Sequence, residues 1–242
     1  MFPKRTCCIL IETPGEFTHK TAFKTGQGAD NNMTEAKTIQ LQQLVPPTLN
    51  VIIAHADELT QLDQAIGDGD HGINMKRGAE KILEELPAIC DKPAGEALKA
   101  MGMALVMSVG GASGPLFGTL LMEMGKSLGA RAMDKDILAE CFAAGVEGVK
   151  KRGRSDVEQK TMLDVLVPAL EVLQGTETGT DLYARLKETV AASETRTIAM
   201  KALKGRASYL GERSIGHMDP GARSCGLAIR EICNVLEDSQ NE

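Results

Sequence analysis

Three aspartates, Asp63, Asp68 and Asp70, fall within eight positions in the stretch LDQAIGDGDHG, Leu62 to Gly72. Gly67 and Gly69 stand between them, and no lysine or arginine in the stretch offsets their charge. Asp68 and Asp70 are two apart, so in an extended turn both carboxylates face one side, and the glycines free the backbone there. Carboxylates gathered this closely repel one another unless a cation joins them. A hard divalent ion, Mg²⁺ above all, takes one or two such oxygens together with phosphate and water. An EF-hand is excluded, because the twelfth position counted from Asp68 is Ala79 and not a glutamate. The competing structural reading has Asp70 capping the next helix and Asp68 making an Asx-turn.

Two further stretches carry chemistry. SVGGASGPLFG, Ser108 to Gly118, holds four glycines and two serines between apolar segments. A helix starting near Gly114 would offer free N–H groups and a positive dipole end to a phosphate. It is not a Walker A loop, since no GK[ST] follows; close helix packing through small residues is the alternative. LKGRASYLGERSIGHMDPGARS, Leu203 to Ser224, reads as a long loop with Lys204, Arg206, Arg213 and Arg223, followed by His217 and Asp219 ahead of PGA. Guanidinium groups there suit phosphate oxygens, and the alternative is a solvated basic face. Acid groups for metal, backbone N–H groups for phosphate and arginine for the remaining charge are the parts of a phosphoryl-transfer site without a side-chain nucleophile.

The elements that must hold these loops are helices. From residue 33 onward, segments such as INMKRGAEKILEEL, KDILAECFAAGVEGVKK and GARSCGLAIREICNVLED repeat apolar residues at three- and four-residue steps. Gly, Pro, Asp and Ser clusters separate them, and β-branched alternation is nearly absent, which predicts an all-α fold of about eight helices in one bundle. Pro46 and Pro47 either kink the first helix or mark its start. Residues 1–32 lack helical period and hold three of the five Phe. They are read as an extension outside the fold, disordered, vector-derived or from an upstream start, with residues 33–242 forming the domain.

Composition narrows the function. With 242 residues the chain suits one domain plus a tail. A net charge of −6, 3% aromatic residues and no Trp argue against nucleic acid as a partner. No apolar run is long enough to span a membrane. The six cysteines show neither zinc nor disulfide spacing, which points to a reducing cytoplasm. His55 reads as structural, His217 as ordering the DPG turn, and MGMALVM as adaptable core.

Together LDQAIGDGDHGINMKRG, SVGGASGPLFGT, KTMLDVLVPAL and KGRASYLGERSIGHMDPGA closely resemble the nucleotide-binding L subunit of dihydroxyacetone kinase, over nearly the whole chain from Met33. The resemblance implies an eight-helix antiparallel barrel with ADP or ATP and two Mg²⁺ at one end. It assigns the metals to Asp63, Asp68 and Asp70. Nucleotide contacts fall on His71, Gly72, Ile73, Asn74, Ala112, Ser113, Gly153, Met162, Arg206, Asp219, Pro220 and Gly221. The sequence departs from the family pattern upstream of KTM, where SDVEQ replaces a Gly-Asp, and Gly153 lies on that side. His71 is expected to brace the metal loop or touch phosphate rather than to accept a phosphoryl group.

In such a family the keto triose is held on a separate K subunit through a covalent bond to a histidine, and this chain would be half an enzyme. Either ATP exchanges each cycle, or a phosphotransferase-system M subunit rephosphorylates ADP that stays bound; a free-standing L chain leans to the second. The alternatives are an ATP-dependent two-subunit kinase for a triose or tetrose, and a nucleotide-loaded module docking on a transcription regulator. A homodimer is also compatible with the sequence. A metal-dependent hydrolase or isoprenoid-type synthase lacks support, since paired aspartate-rich helices are not seen.

Overall fold

The computed structural model describes residues 8–10 and 38–241. Among these residues the chain runs through nine α-helices: α1 Leu41–Ala54, α2 Ala56–Ile66, α3 His71–Cys90, α4 Ala94–Ser108, α5 Ser113–Leu128, α6 Lys135–Gly153, α7 Leu163–Leu173, α8 Gly179–Ala199 and α9 Pro220–Asn241. A 3₁₀ segment, Arg206–Ser214, lies between α8 and α9.

α1 and α2 are one rod interrupted at His55. The i to i−4 bonds continue through it, His55 N–H to Val51 O at 3.2 Å and Leu59 N–H to His55 O at 2.9 Å. The His55 ring Nδ1 also lies 2.7 Å from the Val51 carbonyl, and a second donor on one acceptor loosens the turn. Counted as one rod, α1 and α2 bring the number of helical walls to the expected eight. Pro46 and Pro47 sit inside α1, which begins before them at Leu41.

Packing then closes a ring. α1 and α2 pack on α3, α3 on α4, and so on in chain order to α9, which returns to α1. Apart from the long α8–α9 connection, the links between consecutive helices are short; neighbours run antiparallel and the result is an all-α barrel. α4 and α5 approach most closely because Gly102 and Gly118 face each other: a Cβ on either would strike the other's carbonyl at 2.7 Å. The interior is filled by Leu, Ile, Val and Met side chains, among them Leu59, Leu128, Leu163, Val165 and Val190, all fully buried. Phe117 on α5 touches all three groups of core residues, joining the α1–α4 side to the α7–α9 side.

A short antiparallel pairing joins β1 Cys8–Leu10 to β2 Thr38–Gln40, with Ile9 opposite Ile39. Cys8–Leu10 lie in the stretch expected to stand outside the fold, whereas Thr38–Gln40 belong to the expected domain; β-branched Ile9, Thr38 and Ile39 favour the extended form. The boundary at residues 32 and 33 falls outside the described residues. Among the described residues no helix is long and apolar enough to cross a membrane.

Candidate functional site

Because neighbouring helices alternate in direction, the connections 67–70, 109–112, 154–162 and 200–219 all lie at one end of the barrel. The helices that follow them, α3, α5, α7 and α9, therefore start there. Their N–H groups and positive dipole ends converge on the same region.

The aspartates meet at this end. Asp63, near the end of α2, and Asp68 and Asp70, in the turn to α3, bring one carboxylate oxygen each within 4.8 Å of one another. Asp63 does more than face the others: its Oδ2 accepts the Asp70 N–H at 2.9 Å and the His71 N–H at 3.1 Å. The capping that the competing structural reading gave to Asp70 is performed by Asp63, and the Asp70 side chain makes no capping bond. Gly67 has to lack a side chain, because the Asp63 carboxylate occupies the space a Cβ would fill. An all-oxygen cluster of partly solvated carboxylates is the donor set a hard divalent ion takes, so these residues fit Mg²⁺.

Arg206 reaches across from the 3₁₀ segment, its Nη1 2.8 Å from Asp68 Oδ2, with 65% of its side chain exposed. An open cleft of about 410 Å³ lies here, lined by Ile66, Gly67, Asp68, Arg206, Tyr209 and Leu210.

His71 ties the helix starts together. Its Nδ1 lies 2.9 Å from Ser113 Oγ at the start of α5, and its Nε2 2.7 Å from Ser224 Oγ in α9. Ser224 Oγ donates to the Pro220 carbonyl at 3.0 Å, so it accepts from Nε2–H, and Ser113 donates to Nδ1. Burial lowers the His71 pKa, against the opposing pull of Asp63 and Asp70. A neutral ring with both nitrogens engaged ties these helix starts together. Beside it Asn74 is buried, its amide facing Gly110 of the glycine loop.

Gly72 is buried in the first turn of α3 against Ala56 and Thr60, and Ile73 beside it is 54% exposed. Ala112 precedes α5 with no side-chain cap. Met162 stands at the start of α7 against Gly221, whose Cβ position would lie 3.5 Å from the Met162 Cβ. Asp219 accepts the Ala222 N–H at 2.7 Å and donates its own N–H to Thr197 Oγ1 at 3.1 Å, which orders Pro220 and Gly221. Burial pushes the Asp219 carboxyl up to about 7, with Asp164 and Asp63 adding to the shift; the carboxyl is enclosed although part of the residue reaches solvent. Gly153 closes α6, packed toward Ser155 and Leu116.

Arg223, counted among the loop cations, instead belongs to the first turn of α9. It forms a fork with Glu58 at 2.7 and 3.3 Å and meets Glu194 at 3.2 Å, so two carboxylates already hold it. Arg230 adds a second cation to Glu194 at 2.8 Å.

A family model, the DAK2 domain, matches residues 65–234. The chain is a DAK2-domain protein of the DhaL family. The DhaL-family chain is 47% identical over 180 residues to the PEP-dependent dihydroxyacetone kinase ADP-binding subunit DhaL of Escherichia coli, covering 72% of this chain and 86% of that one. It is 45% identical to the corresponding subunit 1 of Listeria innocua, over 72% of this chain and 84% of that one. In fold it is similar to the dihydroxyacetone kinase of C. freundii solved with AMP-PNP and Mg²⁺, with a TM-score of 0.66 and 22% identity, covering 91% of this chain and 38% of that one.

Three residues that matter to the site carried no sequence signal beyond their place in a motif or helix. Asp164 is fully buried and accepts the Glu158 N–H at 2.5 Å and the Thr161 N–H at 2.8 Å, shaping the α6–α7 turn. Thr197 supports Asp219. Lys160, in the KTM motif, is buried beneath the α8–α9 connection.

Proposed function

We propose that this chain is the nucleotide-binding subunit of a phosphoenolpyruvate-dependent dihydroxyacetone kinase. It holds ADP as a retained cofactor and serves phosphoryl transfer to a keto triose carried on a separate K subunit, and a phosphotransferase-system M subunit restores the nucleotide. The reading is supported by relatives named for that role and rests on one observation: three carboxylates within 4.8 Å of each other where helix N-termini converge.

In this reading Asp63, Asp68 and Asp70 hold two Mg²⁺, which supply positive charge against the transferring phosphoryl group. The chain's own groups do the rest. Asp63 fixes the turn through the Asp70 and His71 N–H groups, so its carboxylate stays aimed at its neighbours. The uncapped start of α5 presents N–H donors to phosphate oxygens. Arg206, exposed and paired with Asp68, can exchange that carboxylate for a phosphate oxygen without leaving its place. His71 holds the starts of α3, α5 and α9 in register as a neutral group, adding no charge that would compete for phosphate.

The substrate-bearing partner has a surface to meet. Of the large apolar residues most exposed among those described, Ile73, Met107, Leu203, Tyr209 and Ile215 lie in or next to the connections at this end, Met103 stands about a turn further back on α4, and Tyr209 lines the cleft. Apolar side chains grouped about a polar site mark a protein interface. Buried free thiols at Cys90, Cys141, Cys225 and Cys233 suit the reducing cytoplasm where such a subunit would work.

The test is reconstitution. Native mass spectrometry of the purified chain should show ADP with Mg²⁺, and the chain alone should not phosphorylate dihydroxyacetone. Turnover should require K and M subunits with phosphoenolpyruvate as donor. Turnover with the K subunit and ATP at the same rate would replace this reading by the ATP-dependent one, and failure to bind any nucleotide would end both.

A further inference from the structure

Lys160 is the largest side chain fully enclosed in the barrel, 1% exposed. Its Nζ donates to four backbone carbonyls: Thr197 at 2.9 Å, Met200 at 3.1 Å, Ser214 at 2.7 Å and His217 at 2.5 Å. Three N–H groups serve four acceptors, so at least one is shared. Among the described residues no carboxylate stands within ion-pair distance of it; the carbonyl dipoles compensate the charge. Burial lowers its pKa, and the field of Asp219 opposes that shift.

The acceptors are spread from the last turn of α8 to the residues before α9. One ammonium therefore gathers the whole excursion from 197 to 217, which carries Arg206 in its middle and delivers Asp219 at its end. Lys160 also adopts φ +58°, a backbone region most residues avoid, two residues after Glu158 at φ +63°. A buried charge and a left-handed backbone are two unfavourable features in one residue, and they persist only where the surroundings enforce them. Four converging carbonyl oxygens at these distances are what potassium or ammonium takes in place of water.

We propose that Lys160 is a positioning residue that acts as a tethered monovalent cation: its ammonium fills a cage of backbone carbonyls and so fixes the loop presenting Arg206 and Asp219. The consequence for nucleotide affinity rests on reading this end as the nucleotide site, whereas the cage itself does not.

Two readouts separate these layers. In Lys160→Ala, held at constant ionic strength, ammonium or potassium chloride should raise the melting temperature more than sodium or tetramethylammonium chloride, with no nucleotide present. Calorimetry with Mg-ADP should show affinity lowered at least tenfold in sodium chloride and largely recovered in ammonium chloride. Lys160→Met, which keeps the stem but has no charge, should lose affinity without ion-selective recovery, because its side chain fills the entry to the cage. An equal response of Lys160→Ala to every cation, or parental affinity in Lys160→Met, overturns the proposal. If the parent binds no Mg-ADP while the ion-selective stabilisation is present, the nucleotide reading fails and the cage stands. Should neither variant fold, acetylation of the parent decides: Lys160 must react far more slowly than exposed Lys76, and equal rates overturn the cage.

Discussion

The two ends of the barrel start their helices differently. At the end opposite the site, α4, α6 and α8 each carry an acid in the first turn, Glu96, Asp136 and Asp181, while α1, which also starts there, has none. Asp134 caps α6 by accepting the Ile137 N–H at 2.7 Å. At the site end α3, α5 and α9 have no acid in the first turn. α7 has Asp164, but both its oxygens are engaged by backbone N–H groups of the preceding turn. Three of the four helix starts at the far end are offset by a first-turn acid; at the site end Asp63 and Asp219 engage N–H groups at the starts of α3 and α9, and α5 is left with neither acid nor cap, its positive potential open to something negative from outside. Asp68 and Asp70 stand in the turn before α3, and the Asp70 side chain makes no capping bond.

The largest break in this contrast should come from the cluster itself. Asp68→Asn keeps the shape, removes one charge and releases Arg206, and calorimetry should show Mg-ADP affinity reduced on the order of 100-fold, about 2.7 kcal/mol. Its melting temperature should change little, because an exposed ion pair such as Asp68 with Arg206 is worth about 0 to 1 kcal/mol. Asp63→Ala should differ by also destabilising the fold by about 1 kcal/mol, since it caps α3 as well. Unchanged affinity in Asp68→Asn would reduce the cluster to turn structure.

The next effect is one of pH. Asp219 has its carboxyl raised from 3.8 to about 7 by burial. Between those values the unfolded chain releases the proton while the folded chain keeps it, so this group's contribution to stability is full below about pH 4 and is lost as pH rises through 7. The loss is on the order of 1 to 2 kcal/mol once solvent screening at its accessible edge is allowed for. Urea midpoints at pH 5 and pH 8 should differ less in Asp219→Asn than in the parent; an equal difference would refute the shift.

A matched pair sharpens the comparison of ends. Ala112→Asp puts an acid at the start of α5 and should stabilise the fold by up to about 1 kcal/mol while weakening Mg-ADP binding. Asp134→Ala should cost about 1 kcal/mol at the other end and leave binding untouched. Equal effects on binding from both would mean that the dipoles at the site do not matter.

The smallest effect concerns residues 1–32. Removing them deletes β1, but a three-residue pairing is marginal. Nucleotide affinity should be retained, and the melting temperature should fall by no more than about 3 °C in a thermal melt.

Much of the site was legible because it is local in sequence. Asp63, Asp68 and Asp70 sit within two turns of chain, and Gly67 with them, so spacing alone suggested a shared face. Helical periodicity gave the walls, and His55 rather than Pro46 or Pro47 turned out to be the break in the first of them. Arg223 was grouped with the loop cations suited to phosphate because nothing near it in sequence shows Glu58, 165 positions away, or Glu194, 29 away. The long connection from Leu203 was taken as irregular, whereas Arg206–Ser214 forms 3₁₀ turns under the Lys160 ammonium.

By itself the sequence determined that the chain forms amphipathic helices, that three carboxylates share one turn, and which family its motifs resemble. These depend on neighbours in the chain, and local sterics and charge are enough to fix them. The closing of eight walls into a ring, the bridge from His71 to Ser113 and Ser224, and the burial of Lys160 under four carbonyls were decided only by tertiary structure. The His71 and Lys160 contacts join groups from 37 to 153 positions apart, and the ring closes between helices further apart still. Whether a polar group at such a distance finds its partner depends on the packing that encloses both, and no spacing in the chain encodes that.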